Sequence, residues 1–226
     1  MKKIVVFTGA GVSAESGIKT FRDSGGLWEE YRIEDVATPT AWLNNPKLVL
    51  DFYNARRKQV MEAQPNAAHI ALAELAKKYD VQIITQNIDD LHERAGSKKV
   101  LHLHGEIMKA RSTKNTDLVY NLKTWEIRFG DKCEEESQLR PHIVWFGEAV
   151  PNMEKAYLQT AKADVFVVIG TSLNVYPAAD LVAAVPENCE LYYIDPSPNV
   201  KFEGPHFNLI KKTASEGVQE LVKKLM

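Results

Sequence analysis

Residues 9–28 read GAGVSAESGIKTFRDSGGLW. Ahead of them, Ile4-Val5-Val6-Phe7 is a short all-apolar run, the pattern of a strand buried on both faces. Gly9, Ala10 and Gly11 follow. Residues this small let the chain turn tightly and let a ligand come close to the backbone amides. Ser13-Ala14-Glu15-Ser16 can open a helix, whose free N–H groups and positive dipole end favour a phosphate. Strand, glycine turn and helix start make up the phosphate-binding half of a dinucleotide site, written here as G-x-G-x-x-A. The same parts also describe a tight strand-to-helix turn with no ligand. The acid expected about 20 residues on does not stand out, because Glu29, Glu30, Glu34 and Asp35 fall in a stretch without strand character. No G-K-[ST] follows, which argues against a P-loop NTPase.

Composition narrows the classes further. A chain of 226 residues makes one large domain, or a large one with a small insert. Its net charge of −2 carries no electrostatic footprint for nucleic acid. No apolar run approaches the roughly 20 residues of a membrane span. Met1-Lys2-Lys3 precedes an apolar run, but that run ends at Gly9, too soon for a signal-peptide core. Two cysteines, Cys133 and Cys189, give no disulfide framework and suit a reducing cytoplasm. The sequence leaves the oligomeric state open and is compatible with a monomer.

Along the chain, residues 29–64 read as mainly helical, with Asn45-Pro46 starting one helix. On it Tyr53 and Arg56 stand three apart and share a face. Read by itself, that is a surface tyrosine beside one of several solvated bases, Arg56, Arg57 and Lys58. Ala67 to Tyr79 reads as an amphipathic helix, with His69 in a cap or packing contact. Val81 to Thr85, Val165 to Ile169 and Leu191 to Ile194 read as strands. Gln86-Asn87-Ile88-Asp89 leaves the first of these at its C-terminal end, where open α/β sheets gather ligands. Asn87 and Asp89 also suit the cap of a following helix. Val100 to His104 alternates, so His102 and His104 point to one face. Gly170-Thr171-Ser172 is a second small-residue turn, and a last helix is expected from about Ser215.

The run from Gly9 to Trp28 closely resembles the N-terminal signature of the sirtuins, the NAD-dependent protein-lysine deacylases. Thr85-Gln86-Asn87-Ile88-Asp89-Asp90-Leu91-His92, Leu103-His104-Gly105-Glu106 and Gly170-Thr171-Ser172-Leu173 resemble further motifs of that family, in the right order over nearly the whole chain. The resemblance implies an α/β fold: a parallel, Rossmann-like sheet with helices on both faces, made of 1–28, 66–104 and 141–226. A small domain would be formed by two insertions, 29–65 and 105–140. It implies NAD as a consumed co-substrate, held by Gly9, Ala10, Gly11, Ser13, Ala14, Glu15, Thr20, Phe21, Arg22, Trp28, Gln86, Asn87, Ile88, Asp89, His104, Gly170, Thr171, Ser172, Tyr193, Asp195 and Ala214. Asn87 and His104 would be catalytic, with His104 the base. Val144, Trp145, Phe146 and Gly147 would lie along the acyl-lysine substrate.

Phe52-Tyr53-Asn54-Ala55-Arg56-Arg57 resembles the Y-x-x-R element of sirtuins that prefer succinyl and malonyl groups. A guanidinium can hold a carboxylate with two parallel hydrogen bonds, and a phenol adds a donor. Most sirtuins hold a structural zinc with two pairs of cysteines; here Cys133 stands alone, with Ser112 near the first expected position. One thiolate does not make a four-ligand site, so no zinc is expected. The small domain would then rest on Leu118, Val119, Leu122, Trp125, Ile127 and Phe129. The implied reaction releases nicotinamide and yields free lysine and O-acyl-ADP-ribose. Two other classes use the same cofactor site: an NAD-dependent ADP-ribosyltransferase and a non-catalytic NAD- or ADP-ribose-binding module.

Overall fold

The computed structural model describes residues 1–19, 31–197 and 206–226. Among the described residues, nine strands form two sheets. The large sheet is six-stranded, in the order β3-β2-β1-β7-β8-β9, and every neighbouring pair is parallel. Its strands are β1 (Lys3–Thr8), β2 (Asp80–Thr85), β3 (Val100–His102), β7 (Val165–Ile169), β8 (Glu190–Ile194) and β9 (Phe207–Ile210). The apolar runs follow from this position. In β1, Ile4 and Val6 face one layer, while Val5 and Phe7 face the other, and all four are fully buried. On the first side lie α4 (Ala67–Leu75) and α7 (Ala214–Leu225), through Leu72, Leu75, Val218 and Leu221. On the second lie α6 (Met153–Thr160) and the 3-10 segment Ala178–Ala184. A parallel sheet covered on both faces gives strands without polar alternation.

The strand order reverses between β1 and β7, which pair Thr8 with Ile169 at their C-terminal ends. A switch of this kind opens a crevice just outside those ends. Both chains leave through glycine. A Cβ on Gly11 would stand 2.7 Å from the Gly170 Cα, and one on Gly170 would stand 2.6 Å from the Gly11 carbonyl carbon. Gly170 also has φ +59, a left-handed conformation that favours glycine. The glycines therefore let the two turns pack on each other; the close approach expected of a ligand is first used by backbone. The helix expected from Ser13 is absent as well. Two 3-10 turns take its place, Ala10–Val12 closed by Ser13 and Ala14–Ser16 closed by Gly17 at φ +84. Asn66, which caps α4, reaches across to the Val12 carbonyl (2.8 Å) and Ser16 Oγ (3.0 Å) and pins this turn.

The small sheet is antiparallel, β5-β4-β6, from Gly105–Ser112 (β4), Val119–Asn121 (β5) and Leu139–Ile143 (β6). Its ladder runs to Ile143, past the expected boundary at 140. Against it lie α1 (Ile33–Val36), α2 (Pro39–Asn44) and α3 (Pro46–Glu62), with α5 (Leu91–Arg94) contributing Leu91. Asn45 caps α3 by accepting the Leu48 N–H at 3.1 Å, with Pro46 as its first residue. The expected apolar holdfast is mostly at the surface: Ile127 is buried, but Val119, Trp125 and Phe129 are exposed. A polar node replaces it. Arg57 is fully buried, not solvated, and donates to the Ile107 carbonyl (2.6 Å), the Trp125 carbonyl (2.7 Å) and Asn54 Oδ1 (2.8 Å). Asn54 in turn exchanges two hydrogen bonds of 2.9 Å with the Ile127 backbone. One helix thus ties β4 to the 125–127 segment.

Candidate active site

The crevice beyond β1, β2 and β7 holds a buried polar cluster. Ser13 Oγ donates to Asp89 Oδ2 (3.0 Å) and accepts from Asn87 Nδ2 (3.1 Å). Asp89 Oδ1 accepts the Leu91 N–H at 3.2 Å, at the start of α5, whose cap residue is Asp90. Burial raises the Asp89 carboxyl, and the hydrogen bonds from Leu91 and Ser13 work against that rise. Beneath them Thr8, Thr85 and the Asn87 amide form a chain of hydrogen bonds of 2.8 and 3.0 Å. From the other side of the crevice, Thr171 Oγ1 accepts from Gln86 Nε2 at 2.9 Å.

His104 stands at the edge of this cluster, part-buried. Its Nδ1 lies 3.0 Å from the Gln86 carbonyl. A carbonyl only accepts, so Nδ1 carries the proton and Nε2 offers a lone pair. Burial lowers its pKa, against the pull of that hydrogen bond, and this keeps the ring neutral and basic near neutral pH. Tyr53 is buried on α3, and burial pushes its phenol up to about 12, with Arg56 and Arg140 opposing. Burial also lowers Arg56, while Tyr53 and then Asp89 support its charge. Arg56 is half-buried and follows Tyr53 by one turn on α3.

The segment after β6 forms the neighbouring wall. Arg140 stacks on the Trp145 ring at 3.2 Å from its centroid. Glu148 accepts from Arg140 Nη1 (2.8 Å), Arg111 Nη2 (3.2 Å) and the Trp145 N–H (2.8 Å). Val144 donates its N–H to the His104 carbonyl at 2.9 Å, and Phe146 to that of Ala37 at 3.0 Å. Gly147 turns the chain at φ +91, and the Phe146 side chain is left exposed.

Comparison with protein families matches residues 9–177 to the Sir2 family. The chain belongs to the Sir2 family. The NAD-dependent protein deacylase of Bacteroides thetaiotaomicron is 54% identical over 231 residues, covering 100% of this chain and 99% of the relative. A solved Sir2 homologue–NAD complex superposes with a TM-score of 0.88 at 41% identity, covering 99% of this chain and 89% of that one. A mutant Sir2 homologue in complex with 2′-O-acetyl-ADP-ribose gives 0.87 at 40% identity, with 99% and 92% covered. These comparisons and the parallel sheet together establish the Rossmann-like α/β fold.

Within this Sir2 chain the residues expected at the site divide into groups. Gly9, Ala10, Gly11, Ser13, Gln86, Asn87, Asp89, His104, Gly170 and Thr171 converge on the crevice, and Ile88 and Ser172 are partly exposed beside them. Thr20, Phe21, Arg22 and Trp28 lie outside the described residues. Ala14 is exposed on the second 3-10 turn. Glu15 turns away from the crevice to α7, accepting from the Ser215 N–H (2.9 Å) and Thr213 Oγ1 (3.2 Å). Ala214 is the first residue of that helix and packs in the core. Tyr193 is fully buried, and its hydroxyl donates to the Thr171 carbonyl at 2.6 Å, supporting the turn from below. Asp195 accepts the Ser197 N–H at 2.8 Å.

Sequence reasoning missed Arg57, Asn54, Arg140 and Glu148. Arg57 was detectable in part, since Leu50, Tyr53 and Arg57 recur at helical spacing on the buried side. Where the family implies zinc, the donors do not fit it. Ser112 Oγ and Ser137 Oγ lie 2.6 Å apart, and Ser137 Oγ lies 3.1 Å from Cys133 Sγ. Ser112 Oγ also accepts the Lys114 and Asn115 N–H groups at 3.2 and 3.1 Å. One thiol and two mutually satisfied hydroxyls close the knuckle by hydrogen bonding.

Proposed function

We propose that this chain is an NAD-dependent protein-lysine deacylase acting on acidic acyl groups, succinyl and malonyl, and also on acetyl. One observation carries the reading: buried Tyr53 and half-buried Arg56 stand one turn apart on α3, and Tyr53 packs in the same apolar cluster as Ile88 and Leu91 of the crevice segment, which supports an anion-binding face beside the nucleotide face. The deacylase relative and the NAD and O-acetyl-ADP-ribose complexes of Sir2 homologues support the chemistry. NAD enters as substrate. Asn87, Asp89 and Ser13 orient its nicotinamide ribose, and the acyl oxygen displaces nicotinamide at C1′. His104 Nε2 then takes the proton of a ribose hydroxyl, which attacks the imidate carbon. Water completes the release of lysine and O-acyl-ADP-ribose. The walls around Tyr53 and Trp145 exclude water and align the acyl-lysine.

The Ser112-Ser137-Cys133 knuckle supports a small domain that works without zinc. Both cysteines are free, in keeping with a cytoplasmic setting. The test is mass spectrometry of one peptide carrying acetyl- or succinyl-lysine, incubated with NAD. The protein should release O-succinyl-ADP-ribose, and Tyr53→Phe/Arg56→Met should lose desuccinylation while keeping deacetylation. Equal loss on both peptides removes Tyr53 and Arg56 from acyl selection. Absence of turnover on either peptide removes the deacylase reading.

A further inference from the structure

The parallel ladder between β2 and β3 ends where Thr85 accepts the Leu103 N–H at 2.9 Å. The next carbonyls belong to the segment that carries the crevice cluster, and buried carbonyls need donors. Gln86 is supplied by His104 Nδ1 at 3.0 Å and Asn87 by His102 Nδ1 at 2.9 Å. Ile88 returns to a backbone donor, the Ile107 N–H, at 2.8 Å. Two imidazoles on alternate residues therefore replace two rungs of sheet. His102 does more than His104. Its Nε2 lies 2.8 Å from Glu93 Oε1, and Asn152 Nδ2 holds its carbonyl at 2.8 Å. A carbonyl and a carboxylate both accept, so each ring nitrogen must carry a proton.

We propose that His102, donating through both ring nitrogens to Asn87 and Glu93, is a positioning residue that fixes the Asn87 segment for the reaction. The proposal rests on the deacylase reading of Asn87 and His104. Holding the Asn87 carbonyl sets the direction of its side chain, whose Nδ2 reaches Ser13. A neutral His102 would turn a lone pair toward either the carbonyl or the carboxylate, and one of the two contacts would open.

The surroundings support the charge. Burial alone would lower the His102 pKa, but Glu93, the Asn87 carbonyl and Glu106 outweigh it and the net shift is upward. Asp89 also faces it, and His92 on α5 is pushed down by burial first, with His69 and then His102 adding in the same sense. His104, two residues on, shifts the other way. One histidine must be neutral and the other charged, so kcat should follow a bell in pH, with His104 on the acid limb and His102 on the alkaline limb.

The experiment is the pH profile of kcat on an acyl-lysine peptide with saturating NAD, for the protein, Glu93→Gln, His102→Gln and His102→Phe. Removing the Glu93 charge should move the alkaline limb down by about one pH unit and leave the acid limb in place. His102→Gln can still donate to Asn87 and cannot titrate; it should keep most of kcat and lose the alkaline limb. His102→Phe should lose kcat by about 10- to 100-fold at all pH with little change in peptide KM. Turnover with an alkaline limb that does not move in Glu93→Gln or His102→Gln overturns the role of His102 alone. No turnover by the parent protein overturns the deacylase reading itself.

Discussion

Acidification from about pH 7 to about pH 5 probes the floor beneath the cleft, where His69 and His92 meet. His69 is fully buried; its Nδ1 accepts the Asn66 N–H at 3.3 Å, and its ring stands edge-on to His92 with centroids 4.8 Å apart. Burial pushes His69 down to about 4 from an ordinary 6.5, with Glu93 opposing, and pushes His92 well below its ordinary value. The unfolded chain therefore takes up these protons first. Stability is full above the unfolded value and falls as pH drops toward the folded one. The full shift of His69 corresponds to about 3.4 kcal/mol, of which about 1.8 kcal/mol is lost between pH 7 and pH 5. His92 adds in the same sense. His102, shifted upward, opposes: its contribution is complete at low pH and is lost as pH rises. The assay is urea unfolding followed by circular dichroism across this range, for the protein and His69→Gln. Glutamine keeps an acceptor for Asn66 but does not titrate, so the difference between the two pH dependences isolates His69. The protein should lose about 2 kcal/mol more than the variant between about pH 7 and pH 5. Parallel dependences would refute the account of His69 as a neutral group held by burial.

The other predictions concern the frame around the cleft. Arg57→Met, which strips the Ile107 and Trp125 carbonyls and Asn54 of their donor, should cost about 3–5 kcal/mol in urea unfolding. A chelator should leave the same transition where it was. Glu148→Gln loosens Trp145 from Arg140 and Arg111; it should raise the peptide KM by about tenfold and leave the NAD KM in place. Gly170→Ala drives a Cβ into Gly11 at φ +59, so NAD binding by calorimetry should be lost, whereas Gly17→Ala, in open space at φ +84, should cost only about 1 kcal/mol.

Local composition and spacing determined much of this protein. Runs such as Ile4–Phe7 and Val165–Ile169 announce strands covered on both faces, because only such strands need no polar side. Asn45-Pro46 and Asn66 announce helix starts, because a cap needs only its own turn. The sirtuin motifs, taken in order, pointed to the family and to the cluster of Ser13, Asn87, Asp89 and His104. Tertiary structure alone decided what each group does there. Gly11 and Gly170, in the turns after β1 and β7, serve each other's backbones across 159 residues of chain, which the local pattern, equally fitted to a phosphate, cannot express. Arg56, Arg57 and Lys58 read alike in sequence; which one is sunk among carbonyls depends on where β4 and residue 125 arrive in space. His102 and His104 share spacing and face, yet among the described residues only His102 of the two meets a carboxylate, and their pKa values shift in opposite directions. Periodicity encodes which side of an element is covered. The partner that covers it, and hence the charge it carries, is set only when distant segments meet.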